Sequence, residues 1–307
     1  MYDFAFYAKK IYGWDIQILY IKNHKNNHES SVNRFEKEFD VYEIDCNQND
    51  LESVNRNIEI FLNRYPSEYF YIQKAGMNDG VNPKNSKTCV LCCSIVNPKI
   101  EKHGYKYAFI SNWLSKYCSN GEVPVVPSIV NAGDNDLNLR SDLLIPSDAI
   151  VFGRTGGMDT WDIPFVNESI ETVLDKREDV YFIFQNTPKF FIHDRVFYIN
   201  VSSDIDFKSK FINTCDALIH ARYRGESFGL VCGEFSSKNK RVITYRDSGE
   251  KNHIEILKDK GLYYGSKQEL DNIFLNFNPE PEKDWNCYKE FEPEKVMKIF
   301  KEVFIDG

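Results

Sequence analysis

Short apolar runs alternate with amphipathic stretches through the N-terminal half of the chain. Apolar runs of this length are typical of buried β-strands, and the stretches between them have helical spacing. The predicted strands are residues 15–21, 40–44, 69–73, 88–93 and 107–111, and the predicted helices are residues 51–64 and 112–119. Such alternation predicts a mostly parallel sheet with helices on both faces.

The alternation begins again after a polar stretch. Residues 131–148 are rich in Asn, Asp, Gly and Ser, with Pro146 near the end, and predict a linker. Beyond the linker, the predicted strands are residues 149–153, 180–184, 196–199, 217–220 and 241–245, and the predicted helices are residues 164–176, 206–213 and 228–238. We therefore expect an α/β protein with two Rossmann-like domains, residues 1–130 and residues 149–280.

The last segment, residues 281–307, contains a predicted helix at residues 293–304 with one continuous apolar face. We expect this face to pack against the core of the protein. Lys295, Lys298 and Lys301 flank it, so a weak peripheral contact with a membrane is the alternative.

Charge and cysteine content narrow the class of protein. The net charge of −8 argues against a partner with a nucleic-acid backbone. No apolar run approaches the roughly 18 residues of a transmembrane helix, and no signal peptide is visible. The eight cysteines include several in apolar runs, which is typical of buried thiols. A cytoplasmic, reducing environment is therefore expected.

Two glutamates, Glu226 and Glu234, carry the strongest chemical signal in the sequence. Ser227 is a suitable N-cap for the helix at 228–238, which places Glu226 just before the helix and Glu234 about two turns inside it. Their backbones are then about 10 Å apart, comparable to the reach of a nucleoside diphosphate sugar. The helix N-terminus between them suits a diphosphate.

Two further features agree with a ligand site here. Gly229 and Gly233 are four residues apart and share a helix face, where a ligand or a strand could approach closely. Arg154 and Glu226 both follow predicted strand ends, and ligands of parallel sheets bind at the carboxyl ends of strands.

The segment 216–234, DALIHARYRGESFGLVCGE, resembles the donor-site signature of retaining GT-B glycosyltransferases of the glycosyltransferase 4-like (group 1) family. The resemblance covers residues 149–277 well and the N-terminal half weakly. It implies two Rossmann-like domains whose parallel sheets face each other across a cleft. It also implies that Glu226 contacts the donor sugar, that Glu234 contacts the ribose hydroxyls, and that Phe228, Gly229 and Leu230 form the family's Phe-Gly-Leu step.

A second part of the resemblance is Gly153-Arg154, which looks like the family's strand-end Gly-Arg, whose Arg meets the donor diphosphate. The family's Lys about five positions later is replaced here by Asp159. Arg222 or Arg224 could supply the missing positive charge.

The chain begins where the family has its first helix, so the family's first strand is expected to be lost or to lie before Met1. The family's last helix crosses back to the first domain, and residues 293–304 suit that role. His103, before a predicted strand, is a candidate for facing the acceptor, with an ordinary surface histidine as the alternative.

The activity that the resemblance implies is transfer of a hexosyl group from a nucleotide diphosphate sugar to a glycan or other hydroxyl acceptor, as in glycan biosynthesis. Retention of configuration, without a metal or other cofactor, is expected. The first alternative is a non-catalytic nucleotide-sugar or glycan-binding protein. The second is a metal-dependent transferase using an Asp-x-Asp pair, for which Asp134 and Asp136, or Asp204 and Asp206, match. An epimerase of nucleotide sugars is a more distant alternative.

Overall fold

A computed structural model of the chain describes residues 1–25, 27–96 and 102–307. These residues form two compact units. The first unit comprises Met1–Ile129 together with Glu290–Gly307, and the second comprises Val130–Lys289. Residues 131–148 therefore lie inside the second unit, and the last helix belongs to the first.

The first unit contains two small parallel sheets. One consists of β1 (Gln17–Ile21) and β2 (Asp40–Ile44), and the other has the order β3-β4-β5, with β3 at Tyr69–Lys74, β4 at Lys87–Cys92 and β5 at Lys106–Phe109. Helix α3 (Leu51–Arg64) shows how the local sequence specifies these elements. Asp50 accepts a hydrogen bond from the Ser53 amide at its start, and the residues Val54, Ile58 and Leu62 form its buried face. The elements are α1 Tyr2–Tyr12, β1 Gln17–Ile21, α2 Glu29–Glu36, β2 Asp40–Ile44, α3 Leu51–Arg64, β3 Tyr69–Lys74, β4 Lys87–Cys92, β5 Lys106–Phe109 and α4 Asn112–Ser119.

The second unit is built on a six-stranded parallel sheet with helices packed against it. Its elements are β6 Ile150–Arg154, α5 Phe165–Lys176, β7 Val180–Gln185, β8 Val196–Ile199, α6 Ile205–Thr214, β9 Ala217–His220, β10 Gly225–Glu226, α7 Leu230–Ser237, β11 Arg241–Tyr245, β12 Glu250–Lys251, α8 Asn252–Leu257, β13 Leu262–Tyr264 and α9 Lys267–Asn276. The prediction of an α/β protein with parallel sheets is confirmed.

The strand order of the large sheet, β13-β11-β9-β6-β7-β8, changes direction between β6 and β9. β7 and β8 follow β6 on one side, whereas β9, β11 and β13 extend on the other. The carboxyl ends of β6 and β9 therefore lie where the strand order changes direction, which is where parallel α/β sheets bind ligands. Arg154 ends β6 and His220 ends β9. The fold thus brings two distant segments of the chain to the same end of the sheet.

The last helix, α10 (Pro293–Lys301), buries Val296, Met297 and Phe300. The Phe300 ring lies 5.3 Å from the Phe4 ring of α1 and 5.2 Å from the Tyr71 ring of β3. The apolar face of α10 is therefore covered by protein within the first unit. In the part of the chain that the structure describes, no helix has both the length and the apolar character needed to cross a bilayer.

Candidate active site

A two-stranded ladder fixes the position of Glu226. β10 pairs in parallel with β12, so that Gly225 lies beside Glu250 and Glu226 beside Lys251. Gly225 has φ of +74°, and a Cβ atom there would lie 2.1 Å from the Glu250 carbonyl oxygen. Only glycine fits such a position. The sequence Arg-Gly-Glu therefore specifies an extended segment that carries Glu226 past the end of β9.

The Glu226 carboxylate is held through one of its two oxygens. Oε1 lies 3.1 Å from His220 Nε2 and accepts a hydrogen bond of 3.0 Å from Arg222 Nη1. No residue that the structure describes bonds Oε2, and 25% of the side chain is exposed. Burial raises the pKa of Glu226, but the hydrogen bonds from His220 and Arg222 and the positive charge of Arg222 outweigh burial and hold the pKa at about 2. Glu226 is therefore ionised at neutral pH.

Helix α7 begins later than the sequence predicts. The expected helix at 228–238 with Ser227 as its N-cap is wrong: the helix spans Leu230–Ser237, and Gly229 is its N-cap with φ of 88°. Two tertiary contacts explain the difference. Pairing of β10 with β12 keeps the chain extended, and Asn252 Nδ2 donates a 2.8 Å hydrogen bond to the Phe228 carbonyl. The turn into the helix then falls on glycine, which tolerates positive φ.

Other protein atoms pack closely against Gly229, the N-cap of α7, and Gly233 within the helix. A Cβ at Gly229 would lie 2.7 Å from His253 Cβ, and one at Gly233 would lie 2.7 Å from the Tyr288 ring and 2.8 Å from Val130. In this structure, close packing of α8 and of residues 130 and 288 accounts for both glycines. Phe228 is buried near the Tyr288 ring, whereas Leu230 is 38% exposed.

Glu234 has different surroundings from Glu226. It is 5% exposed, and its Oε1 lies 2.6 Å from Lys208 Nζ of α6. Lys208 also donates to the Asn131 carbonyl at 3.3 Å. Sequence reasoning missed Lys208, because a helix 26 residues earlier gives no sign of which side chain it will face. The two glutamates of the motif therefore have separate partners.

Arg154 is 2% exposed and makes five hydrogen bonds. Its acceptors are the carbonyls of Gln185, Asn186 and Gly157 and the hydroxyls of Thr187 and Thr160. Burial lowers its pKa to about 10, so the guanidinium stays charged at neutral pH. In this structure Arg154 ties the loop after β6 to the loop after β7.

The remaining predicted donor-site residues, Gly153, Arg222 and Arg224, have different surroundings. Arg222 binds Glu226, whereas Arg224 donates through Nε to Glu250 at 2.7 Å and has 54% of its side chain exposed. Gly153 is a packing position, because a Cβ there would lie 2.3 Å from Cys215 Sγ. Arg222 is thus the cation that the structure places directly beside Glu226.

His103 lies in the first unit and is 8% exposed. Its Nε2 is 3.4 Å from the buried Lys74 Nζ, and its ring is 5.4 Å from the Tyr107 ring. It is therefore packed inside the first unit and is not an exposed surface histidine.

The candidate Asp-x-Asp pair at 204–206 serves a helix start. Asp204 Oδ1 accepts a 3.0 Å hydrogen bond from the Asp206 amide and caps α6. Asp206 Oδ1 accepts from Asn135 Nδ2 at 3.3 Å. Within residues 1–25, 27–96 and 102–307, no cluster of three or more His, Cys, Asp or Glu side chains is arranged to hold a metal ion.

Behind Glu226 lies a polar network that the sequence did not indicate as functional. His220 and Thr244 are register partners on the adjacent strands β9 and β11, and His220 Nδ1 lies 2.9 Å from Thr244 Oγ1. Thr244 Oγ1 lies 3.0 Å from Nε2 of His253, which is fully buried. Burial and the nearby His220 lower the pKa of His253 to about 3.

Acid is expected to destabilise the second unit through His253. Because the folded pKa of about 3 is below the ordinary value of 6.5, the unfolded chain binds the proton first as pH falls. The contribution to stability is complete above pH 6.5 and declines toward pH 3, by about 1.4 kcal/mol per pH unit. Urea unfolding between pH 7 and 4.5 should therefore show a shallower pH dependence in His253→Gln than in the wild type. Equal slopes would contradict this role.

Comparisons with known proteins give the fold its context. No protein-family model matches the sequence, and no curated protein matches it significantly. Among solved structures, a glycosyltransferase from Rickettsia africae has a TM-score of 0.72 at 15% identity, over 100% of this chain and 94% of that chain. Anabaena HepE, crystallised with UDP and glucose, has a TM-score of 0.62 at 13% identity, over 94% and 95%. A putative UDP-N-acetylglucosamine 2-epimerase from Listeria monocytogenes has a TM-score of 0.61 at 14% identity, over 99% and 92%. This chain therefore has the GT-B fold of glycosyltransferases, as the resemblance of its donor-site motif implied.

Proposed function

We propose that this protein is a glycosyltransferase that moves a hexosyl group from a nucleoside diphosphate sugar to a hydroxyl of a glycan or other acceptor. The observation that carries the proposal is the state of Glu226. Its carboxylate is ionised, is held through one oxygen by His220 and Arg222, and lies at the carboxyl end of β9 shortly before α7. The unbonded oxygen can then accept hydrogen bonds from sugar hydroxyls and place the anomeric carbon.

The departing nucleoside diphosphate needs positive charge or hydrogen-bond donors near its phosphates. As the nucleoside diphosphate departs, negative charge develops on its outer phosphate. The first hydrogen bond of helix α7 runs from the Gly233 amide to the Gly229 carbonyl at 2.9 Å. The N–H groups of Leu230, Val231 and Cys232 lie before this bond, in the first turn, where backbone amides have no acceptor within the helix. These groups, the helix dipole, and Arg222 or Arg224 would stabilise the charge.

The first role that we propose for Arg154 is to hold loops in place. Its five hydrogen bonds hold together the segments that leave β7 and β6, and β6 is the neighbour of β9 in the sheet. A direct contact between Arg154 and the diphosphate would require the guanidinium to exchange some of these partners. We therefore keep the phosphate contact as the second role of Arg154.

The proposal also includes three features of the reaction. The anomeric configuration is retained, the leaving phosphate takes the acceptor proton, and no metal or other cofactor takes part. A role for His103 toward the acceptor is also part of it. These features rest on the motif resemblance, and they are tested by the anomeric configuration of the product and by activity in the presence of a chelator.

The decisive experiment is incubation with UDP, GDP and ADP sugars, with and without candidate acceptors, followed by product analysis. Transfer of the sugar to an acceptor, with the anomeric configuration kept, supports the proposal. Binding without turnover would favour the non-catalytic alternative, and a donor sugar with altered stereochemistry would favour an epimerase. Loss of activity on chelation would favour a metal-dependent transferase.

Glu234→Ala is expected to raise the KM for the donor by about tenfold or more, with a small change in kcat, because a charged hydrogen bond to the ribose hydroxyls would be lost. Steady-state kinetics with varied donor measure the effect. Lys208→Met is the matched control, since it removes the same ion pair and leaves the carboxylate in place. An equal rise in KM in both variants would show that the ion pair, and not a ribose contact, matters.

A further inference from the structure

A chain of four polar side chains leads from the candidate site into the interior of the second unit. It runs from Glu226 Oε1 to His220 Nε2 at 3.1 Å, from His220 Nδ1 to Thr244 Oγ1 at 2.9 Å, and from Thr244 Oγ1 to His253 Nε2 at 3.0 Å. His253 is 0% exposed, and its Nδ1 has no hydrogen-bond partner among the described residues. The chain therefore has a defined beginning at the site and a defined end in the core.

The direction of these hydrogen bonds follows from the ionised state of Glu226, the first residue of the chain of side chains. An ionised carboxylate only accepts, so the hydrogen between Glu226 and His220 must be on His220 Nε2. A neutral His220 then has a lone pair on Nδ1, which accepts from the Thr244 hydroxyl. The Thr244 oxygen in turn accepts from His253 Nε2–H, and His253 Nδ1 is left as a lone pair.

The opposite direction is disfavoured on two grounds. It requires a cationic His220 beside Arg222, which already binds the same carboxylate oxygen. It also turns the unpartnered Nδ1 of His253 into a buried N–H donor without an acceptor, and such orphaned donors are rare in folded proteins. The neutral arrangement leaves only an unused acceptor in the core.

We infer that His220, Thr244 and His253 are positioning residues for Glu226, forming a one-way hydrogen-bond relay that fixes its carboxylate with Oε2 free for the donor sugar. The role in transfer rests on the proposed function, whereas the direction of the relay does not. The relay explains how a glutamate on a two-residue strand can keep one orientation: its anchor is the core pair of β9 and β11.

Nitrogen-15 NMR of histidine-labelled, ligand-free protein at neutral pH tests the direction. The expected result is that His220 and His253 are both neutral with hydrogen on Nε2. A hydrogen on Nδ1 of either ring would overturn the relay, because the hydrogen bonds would then run in the opposite direction or one link would have two donors or none. This measurement uses the wild-type protein and needs no variant to fold.

Kinetics test the positioning role. Thr244→Val keeps the shape but removes the hydroxyl, and should lower kcat by about tenfold with a donor KM changed by less than about twofold, a loss at the lower end of that seen for partners that orient metal-binding histidines. Thr244→Ser should restore most of the kcat. Thr214→Val is the matched control, because this buried hydroxyl donates to the Lys210 carbonyl at 2.7 Å and accepts from the Leu139 amide at 2.8 Å, outside the relay.

The outcomes separate the two proposals. Equal losses of kcat in Thr244→Val and Thr214→Val, or no recovery with serine, would overturn the positioning role. If the wild type transferred no sugar, the proposed function would fail. The relay would still be decided by the nitrogen shifts of His220 and His253, which should change in Thr244→Val and stay constant in Thr214→Val.

Discussion

Glu226→Gln is expected to lower kcat for sugar transfer by about a hundredfold or more, and Glu226→Ala to abolish transfer, while the fold stays intact. Glutamine keeps the size of the side chain but loses the negative charge. Its amide also cannot accept from both His220 and Arg222 as strongly as the carboxylate does. Preorganised electrostatic groups of this kind commonly contribute 10²–10³ in rate.

Initial rates with saturating donor and acceptor measure this effect. Glu269→Gln is a matched control, because Glu269 is also a carboxylate paired with an arginine in the second unit, Arg246 at 3.1 Å. Its kcat should stay close to that of the wild type, since it takes no part in the proposed site. Near-normal kcat in Glu226→Gln would contradict the catalytic role of Glu226 and, with it, the central support of the proposed function.

Arg154→Met is expected to lower the free energy of unfolding of the second unit by about 3 kcal/mol. The reason is that the guanidinium is buried and donates to three backbone carbonyls and two hydroxyls. Methionine removes all five bonds. The Asn186 carbonyl loses this donor, the Gln185 and Gly157 carbonyls keep only the hydroxyls of Thr187 and Thr160, and unsatisfied buried polar groups are costly. Arg154→Lys should lose less, because it keeps a charge but reaches fewer acceptors.

Urea unfolding of the ligand-free protein checks the stability effect. Arg246→Met is the control, because the side chain of Arg246 is 50% exposed and its loss should change stability by less than about 0.5 kcal/mol. If Arg154→Met unfolded like the wild type but no longer bound a nucleoside diphosphate, Arg154 would act on the phosphate and not mainly on the loops. The experiment therefore separates the two roles considered for this residue.

Most of the fold could be predicted from the sequence because it depends on local patterns. The apolar runs of β6, β7, β9 and β11 are short, bounded by polar turns and separated by helical spacing, which specifies parallel α/β units. The start of α7 could not be predicted in the same way. Ser227 is a good N-cap by local chemistry, but the β10–β12 ladder and the bond from Asn252 to the Phe228 carbonyl move the helix start to Gly229.

The candidate site, like the fold, has features that local sequence specifies and features that depend on tertiary packing. The sequence by itself determined that Glu226 follows a buried strand, precedes a helix and belongs to a recognisable motif, because these are relations between neighbours in the chain. Only the tertiary structure decided which partners each charged group has. Arg154 meets carbonyls about 30 residues away, Glu234 meets Lys208, and Glu226 is anchored through His220 to Thr244 and His253. Hydrogen-bond partners depend on the order and register of strands, and these are set by the packing of the whole unit and not by any one segment.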